Sequence, residues 1–125
     1  MEINKIKLVQ KAIDAQSKAI CPYSNYPVGA ALLTKNKDII IGFNIESKAY
    51  PTTLCAERVA IFSALSQGYD NFIAMAVATV DGGTPCGSCR QIIVEFAGDI
   101  PILVADSKQN YFETNSLELL PKPFA

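Results

Sequence analysis

Apolar residues recur at intervals of three and four positions in two stretches of the chain, which is the spacing of an amphipathic helix. The first stretch is Ile3–Ala19, and the second runs from about Cys55 to Gln67. Thr53 is a candidate N-cap for the second helix, and Gly68 is a stop signal after it. The pattern therefore predicts one helix at the start of the chain and another in its middle, with Cys55 in the first turn of the second.

Continuous apolar runs bounded by turn-forming residues predict five strands. The runs are Val28–Leu33, Ile39–Phe43, Phe72–Val80, Ile100–Ala105 and Tyr111–Thr114. The four polar residues Lys35–Asp38 form the turn between the first two, which make a predicted hairpin. Gln91–Phe96 and Ser116–Leu120 are predicted as short helices. From residue 39 onward strands alternate with helices, which indicates crossover connections and a mixed sheet with helices on both faces. In such sheets, ligands bind at the carboxyl ends of strands, where helices begin.

The composition restricts the class of function before any motif is considered. The chain has 125 residues, half of them hydrophobic and 18% charged, which predicts one compact domain over residues 1–125 and excludes disordered and fibrous proteins. The high apolar fraction of so short a chain suggests that subunits associate. A net charge of -1 offers no basic surface for a polyanion. The expected partners are a small neutral substrate and further copies of the chain, and nucleic acid is not expected.

The termini and the cysteines bear on location. No stretch approaches the roughly 20 apolar residues of a membrane span, and Met1–Ile6 lacks the start of a secretion signal. The protein is therefore expected to be cytoplasmic, without a membrane partner. In that reducing compartment, four cysteines favour metal binding or catalysis over disulfides.

Two cysteines lie three positions apart at the predicted start of a helix. Cys86 and Cys89 can reach one ion from there, although a thioredoxin-like redox pair is placed in the same way. Cys55 adds a third thiol at another helix start, and Glu57 adds a carboxylate two residues later. Three protein ligands leave a fourth position for water, and a nearby carboxylate can take up the proton of that water. The pattern indicates metal-assisted hydrolysis, and a site containing histidine is impossible because the chain has none.

Three thiolates on one zinc ion carry a net negative charge that must be offset. The predicted helix starts beside Cys55 and Cys86 contribute partial positive charge. Arg58 is a candidate to hydrogen-bond the thiolates. From spacing alone, a solvated helix residue is an equally good interpretation of Arg58.

The order Cys-Ala-Glu and then, about thirty residues later, Pro-Cys-x-x-Cys is the signature of zinc nucleobase deaminases in its three-cysteine form. Other segments along nearly the whole chain follow the order of one such family. They are Pro22–Ser24, Val28–Leu32, Asn44–Glu46, Tyr50–Pro51, Cys55–Arg58, Pro85–Gln91 and Leu119–Pro121. On these segments the chain resembles the homotetrameric zinc-dependent cytidine deaminases of nucleoside salvage.

The resemblance implies a fold, a cofactor and a reaction. The implied fold is an α/β protein, a three-layer α/β/α sandwich around a five-stranded mixed sheet. One Zn²⁺ per subunit is implied on Cys55, Cys86 and Cys89. In that family an activated water attacks C4 of the cytosine ring, the counterpart of Glu57 shuttles protons, and ammonia leaves. The implied activity is the conversion of cytidine and 2'-deoxycytidine to uridine and 2'-deoxyuridine in pyrimidine salvage.

The resemblance also implies residues that hold the substrate. The counterparts of Asn44 and Glu46 hydrogen-bond the ribose hydroxyls, although ordinary turn chemistry is the alternative for both. The backbone at Ala56 is expected to contact the base. Tyr26 departs from the family, in which a phenylalanine packs against the pyrimidine. Tyrosine keeps the ring face but adds a hydroxyl that needs a partner.

Two further aromatic residues resemble family positions near subunit boundaries. Phe124 corresponds to a C-terminal aromatic that reaches a neighbouring subunit's site, and Tyr50 is a candidate to act across the interface as well. Core or surface packing is the alternative for each. The resemblance therefore implies a homotetramer with composite sites.

Three functions remain open at this point. The chain is a deaminase of cytidine or a related cytosine nucleoside analogue, a deaminase of nucleic-acid bases, or a non-hydrolytic Cys-x-x-Cys protein with a redox pair or a structural zinc. The second needs a basic channel that the sequence lacks. The third leaves Cys55 and Glu57 without a role. Cys21 has no motif partner and is expected to be a small apolar packing residue.

Overall fold

The structure is a computed structural model that describes residues 4–123. The described residues form four helices, five strands and one 3-10 turn. The bounds in chain order are α1 (Lys5–Gln16), β1 (Gly29–Thr34), β2 (Ile39–Phe43), the 3-10 turn (Tyr50–Thr52), α2 (Ala56–Ser66), β3 (Phe72–Ala78), α3 (Gly87–Ala97), β4 (Pro101–Ala105), β5 (Tyr111–Asn115) and α4 (Ser116–Leu119).

The five strands form one mixed sheet in the order β2-β1-β3-β4-β5. Strand β1 pairs antiparallel with both β2 and β3, and β4 pairs antiparallel with β5. Strands β3 and β4 pair in parallel, and α3 is the crossover between them. Strands β2 and β3 run in the same direction on either side of β1, so their carboxyl ends meet at one edge of the sheet. The prediction of a five-stranded mixed sheet is confirmed.

Helices cover both faces of the sheet and bury two separate apolar clusters. On one face of the sheet, α1 contributes Leu8, Val9 and Ala12 to a cluster with the β3 and β4 side chains that point towards this helix. On the other face, α2 and α3 pack over the sheet, and Ile61 and Ile93 are buried there. The result is the predicted three-layer α/β/α sandwich.

Gly42 allows α2 to lie directly on strand β2. A Cβ atom at Gly42 would lie 2.3 Å from the carbonyl oxygen of Ala56 and 2.5 Å from the backbone nitrogen of Ala60. Contacts this short are impossible for any larger residue without moving the helix. The first turn of α2, which carries Glu57, is therefore fixed against the sheet by contact between backbones.

The start of α2 differs from the prediction by one residue. Cys55 is the N-cap, with extended backbone angles, rather than a member of the first turn. Thr53 does not cap the helix, because its hydroxyl accepts a hydrogen bond from the Ser47 N–H at 2.9 Å instead. The Cys55 side chain makes no capping bond to the helix, so its sulfur is available for other partners.

The start of α3 lies four residues before the predicted one. The helix begins at Gly87 rather than at Gln91, and Cys86 is its N-cap. The first turn contains glycine and serine, both poorer helix formers than alanine or leucine, so the pattern hid it. This places Cys89 inside the helix. Within the described residues, no helix combines the length and apolarity needed to cross a membrane.

Candidate active site

Three cysteines and a glutamate meet where α2 and α3 begin, at the edge formed by the carboxyl ends of β2 and β3. Cys55 and Cys86 are the N-caps of the two helices, and Cys89 lies in the first turn of α3. Cys89 is fully buried, whereas Cys86 is exposed. The two helix N-termini direct partial positive charge at this edge. The fold thus brings together thiols that are up to 34 positions apart in sequence.

The three sulfurs are close enough to share one ion. All three Sγ atoms lie within 4.8 Å of one another, and in residues 4–123 they form the only such cluster of metal-ligating groups. The Sγ atoms of Cys55 and Cys86 are 3.8 Å apart, and those of Cys86 and Cys89 are 3.3 Å apart. Thiolates at about 2.3 Å from a tetrahedral zinc ion lie about 3.8 Å from one another. The donor set therefore fits one zinc ion with three protein ligands and an open fourth position.

Arg58 turns back from the first turn of α2 towards the thiols. Its Nη2 donates to the Cys55 Sγ at 3.5 Å and to the Thr53 carbonyl at 3.3 Å. A hydrogen bond from Cys89, joined by the Arg58 guanidinium, lowers the pKa of Cys55 to about 5. The same bond to Cys55, together with burial, raises the pKa of Cys89. The arrangement thus favours the thiolate at Cys55 rather than at Cys89, and the half-buried Arg58 contacts the Cys55 sulfur.

Arg58→Gln is expected to weaken zinc binding by about 10- to 100-fold, the usual effect of losing a residue that supports a metal ligand. The substitution removes the positive charge from a cluster that carries up to three negative charges when metal is bound. Competition with a chromophoric chelator measures the zinc affinity. Arg58→Lys keeps the charge but loses the planar fork and should fall between wild type and Arg58→Gln. Equal zinc affinity in all three proteins would mean that the helix ends alone offset the thiolates.

Glu57 is a buried carboxyl beside this cluster. It lies in the first turn of α2, and its exposed fraction is 3%. Burial raises the pKa of Glu57 to about 7, and the charge of Cys55 contributes in the same direction. A carboxyl group with such a pKa can both take up and release a proton near neutral pH.

A cavity of about 460 Å³ opens in front of Cys55, Cys86 and Glu57. Its volume lies within the usual range of small-molecule sites. Apolar side chains form the floor, and polar groups converge from the loops around it. The lining residues are Ser24, Tyr26, Val28, Asn44, Glu46, Thr53, Leu54, Cys55, Ala56, Glu57, Val77, Thr79, Gly83, Thr84, Pro85 and Cys86.

Four of the residues expected to bind substrate line this cavity, namely Tyr26, Asn44, Glu46 and Ala56. Tyr50 is 70% exposed and lies in an adjoining groove that shares Glu46 with the cavity. Phe124 falls outside the residues that the structure describes. The cavity therefore gathers seven of the predicted site residues, whereas Cys89 and Arg58 lie outside its lining in contact with the other thiols, and Tyr50, assigned to a subunit boundary, does not line it.

Asn44 lines the cavity and also hydrogen-bonds the backbone of two other lining residues. Its Oδ1 accepts from the Val28 N–H at 2.9 Å, and its Nδ2 donates to the Tyr26 carbonyl at 3.0 Å. An amide nitrogen has two hydrogens, so one N–H of Asn44 remains for a ligand. The turn-chemistry interpretation and the ligand interpretation are therefore compatible.

Glu46 likewise lines the cavity and accepts hydrogen bonds from backbone groups. Its Oε1 accepts from the backbone N–H groups of Tyr23 and Ser24 at 2.9 and 3.2 Å. Hydrogen bonds from Ser24 and Tyr23 lower the pKa of Glu46, so it is a carboxylate at neutral pH. Its second oxygen can accept hydrogen bonds from hydroxyl groups in the cavity.

Arg90 was not among the predicted site residues, but its hydrogen bonds shape the site. Its guanidinium donates to the Pro85 carbonyl at 2.7 Å, the Thr84 hydroxyl at 2.8 Å and the Leu119 carbonyl at 2.9 Å. These bonds tie the loop before Cys86 to α4. An arginine directly after the second motif cysteine was the available signal, but its partners lie in loops whose positions the sequence does not indicate.

A three-thiolate centre with an open fourth position, beside a buried carboxyl and a substrate-sized cavity, defines a metal-dependent hydrolytic enzyme. Comparison with known families narrows this class. Residues 2–104 match the family model described as "Cytidine and deoxycytidylate deaminase zinc-binding region". The chain belongs to the zinc-binding cytidine and deoxycytidylate deaminase family.

Individual relatives agree with the family model. A cytidine deaminase from Sporosarcina psychrophila is 44% identical over 122 residues, which is 95% of this chain and 90% of that protein. A probable cytidine deaminase from Dictyostelium discoideum is 40% identical over 122 residues, covering 95% of this chain and 82% of its own length. The crystal structure of a cytidine deaminase from Burkholderia pseudomallei superposes with a TM-score of 0.93 at 37% identity, covering 98% of this chain and 100% of that chain.

Proposed function

We propose that this protein catalyses the zinc-dependent hydrolysis of cytidine and 2'-deoxycytidine to uridine and 2'-deoxyuridine, with release of ammonia. The observation that carries the proposal is the buried Glu57 beside three thiols that fit one zinc ion, in the lining of a cavity of about 460 Å³. Family membership and the names of its relatives support the same reaction.

Cys55, Cys86 and Cys89 would hold the zinc ion, and Glu57 would move the protons. A bound zinc ion supplies a Lewis acid that lowers the pKa of water to about 7. Glu57 accepts a proton from the attacking water and donates it to N3 of the ring. Oxygen adds at C4 as a hydroxyl group, and Glu57 takes the proton of that hydroxyl and delivers it to the amino group. The C4–N4 bond then breaks and the C4 carbonyl of uridine forms. One water molecule is consumed and one ammonia molecule is formed.

The charge of the cavity favours a free nucleoside over a nucleotide. Its charged lining residues are Glu46 and Glu57, and among the described residues neither lysine nor arginine lines it. A phosphate group there would meet carboxylates and lose the hydration it has in water. The available N–H of Asn44 and the second oxygen of Glu46 suit neutral sugar hydroxyls instead.

Turnover of a substrate panel tests this proposal. We expect ammonia and the uracil product from cytidine and 2'-deoxycytidine. For deoxycytidine 5'-monophosphate and a cytosine-containing single-stranded oligonucleotide, kcat/KM is expected to be at least about 100-fold lower than for cytidine. The reason is that their phosphate charge would lie in a site that offers it no counterion. A higher kcat/KM for the monophosphate would replace the proposal with nucleotide deamination.

Glu46→Gln is expected to raise the KM for cytidine by about 10-fold or more, because a hydrogen bond to a charged acceptor is replaced by a weaker one. The effect on kcat should be smaller, since the sugar does not react. With 2',3'-dideoxycytidine, which lacks the 2' and 3' hydroxyls, the variant and the wild type should have the same KM. Glu95→Gln, an exposed position on α3, is the matched control. A KM for cytidine that does not change in Glu46→Gln would remove Glu46 from the sugar site.

We further propose that the protein is a cytoplasmic homotetramer acting in pyrimidine salvage, with Tyr50 and Phe124 at subunit boundaries. Phe62 and Phe96 support association, because they form an exposed edge-to-face pair between α2 and α3 with ring centroids 6.3 Å apart. Exposed aromatic pairs of this kind are typical of protein interfaces. Light scattering of the zinc-loaded protein measures the assembly, and a monomeric mass would contradict it.

A further inference from the structure

Tyr26 connects two loops that both contribute residues to the lining of the cavity. Its backbone carbonyl is held by Asn44 at 3.0 Å, and its hydroxyl donates to the Asp81 Oδ1 at 2.5 Å. Tyr26 and Asp81 are 55 positions apart in sequence. Tyr26 is therefore held both at its backbone carbonyl and at its hydroxyl group.

Asp81 is itself oriented by its neighbours. The Thr79 hydroxyl donates to the same Oδ1 at 3.3 Å and accepts from the Gly83 N–H at 2.8 Å. Thr79 is 4% exposed and follows directly after β3. The hydrogen bond from Tyr26 lowers the pKa of Asp81, while burial and this bond raise the pKa of Tyr26. The pair is thus a phenol donating to a carboxylate at neutral pH, which is a strong type of hydrogen bond.

The Tyr26 hydroxyl contacts the loop before Cys86, and the residue also lines the cavity. Tyr26, Thr79 and Gly83 all line the cavity. A Cβ atom on Gly83 would lie 3.1 Å from the Tyr26 hydroxyl oxygen, so the hydroxyl is packed against that loop. The hydroxyl that the sequence left without a partner has one, and that partner lies on the segment leading to a metal ligand.

We propose that the Tyr26–Asp81 hydrogen bond is a clamp that fixes the Tyr26 ring relative to the loop carrying Cys86, and so sets the width of the substrate cavity. Tyr26 and Asp81 are then positioning residues for the deamination, and the inference rests on the proposed function. The clamp shapes the cavity equally for bound substrate and for the transition state. Its loss therefore raises KM and leaves kcat nearly unchanged.

A double-mutant cycle tests the clamp. Tyr26→Phe and Asp81→Ala should each raise the KM for cytidine by about three- to tenfold, the range for loss of one net hydrogen bond. The double variant should be no worse than either single variant, because both remove the same bond. In all three, kcat should stay within about twofold of wild type and zinc content at one per chain. Unchanged KM values, or losses that simply multiply, would overturn the clamp.

Tyr69→Phe is the matched control, because the Tyr69 hydroxyl also donates to a carboxylate, the Asp38 Oδ2 at 2.7 Å, and neither residue lines the cavity. This variant should keep the wild-type KM. If Tyr69→Phe raised the KM for cytidine as much as Tyr26→Phe does, the loss of any tyrosine–aspartate hydrogen bond would raise KM. That result would overturn the clamp.

A second measurement does not depend on turnover. Nuclear Overhauser contacts between the Tyr26 ring protons and the Gly83 α protons should be present in the wild type and weaken in Asp81→Ala, because Gly83 packs against the Tyr26 hydroxyl. Their absence from the wild-type spectrum would overturn the clamp whatever the activity. A wild type that shows these contacts but deaminates no cytosine nucleoside would refute the proposed function alone.

Discussion

Glu57→Gln is expected to lower kcat for cytidine by about 10²- to 10⁴-fold, the range for loss of a general acid and base. The amide has the same shape as the carboxyl but cannot take a proton from water and pass it to the ring. Because Glu57 is not one of the three clustered thiol ligands, the variant should still bind one zinc ion per chain. Steady-state ammonia release and metal analysis on the same sample measure both quantities.

The pH dependence of stability gives Glu57→Gln a second, independent signature. The pKa of buried Glu57 is raised from 4.5 to about 7. Between those values, the folded metal-free protein binds more protons at this group than the unfolded chain does. The contribution of Glu57 to stability is thus fully present below pH 4.5 and is lost as pH rises through about 7. The difference in the free energy of unfolding between wild type and Glu57→Gln should follow this curve, and a difference that does not vary with pH would contradict the burial of Glu57.

An active Glu57→Gln variant would contradict the proton-transfer role directly. Loss of zinc from the variant would give low activity for a different reason, which the metal analysis reveals. Glu95→Gln, on the exposed face of α3, should keep wild-type kcat and so controls for a change of charge alone.

Cys86→Ala is expected to have the second of the two largest effects, with loss of stoichiometric zinc and an activity below about 1% of wild type. Removing a residue that only supports a metal ligand lowers metal affinity by up to about 100-fold, and removing a ligand itself should lower it further. Two thiols of the cluster remain in the variant, and they supply only two of the three zinc ligands. Zinc content after dialysis, together with ammonia release, measures the effect.

Cys21→Ala is the matched control for Cys86→Ala. Cys21 is half-buried and is not part of the thiol cluster, so this variant should keep both zinc and activity. A Cys86→Ala protein with full zinc and full activity would exclude the three-thiolate centre. A disulfide between Cys86 and Cys89 in active protein, detected by thiol titration, would favour the redox interpretation of this pair.

The apolar pattern predicted the sheet well because strand formation here follows local composition. Strand β2 begins at Ile39 and ends at Phe43 as predicted, and the strands after it shift by at most two residues. Of the two site helices, α2 starts one residue after the prediction, whereas α3 starts four residues before it. Their N-caps are cysteines with extended backbones, and cysteine is not a residue preferred at helix starts.

The contacts within the site depend on long-range packing that the sequence does not contain. Asn44 and Glu46 hold backbone groups 16 to 23 positions away, in addition to facing the cavity. The partner of the Tyr26 hydroxyl is Asp81, 55 positions away, and no pattern in the sequence pairs these two residues. Residue types and motif order therefore identified the chemistry, whereas the supporting hydrogen bonds required the structure.

The most direct test of the zinc deaminase assignment is cytidine turnover measured during stepwise return of zinc to metal-free protein. The three-thiolate centre predicts no turnover without metal, a linear rise in the rate, and a maximum at one zinc ion per chain. Turnover by zinc-free protein, or full loading with zinc without ammonia release from cytidine, would contradict the assignment.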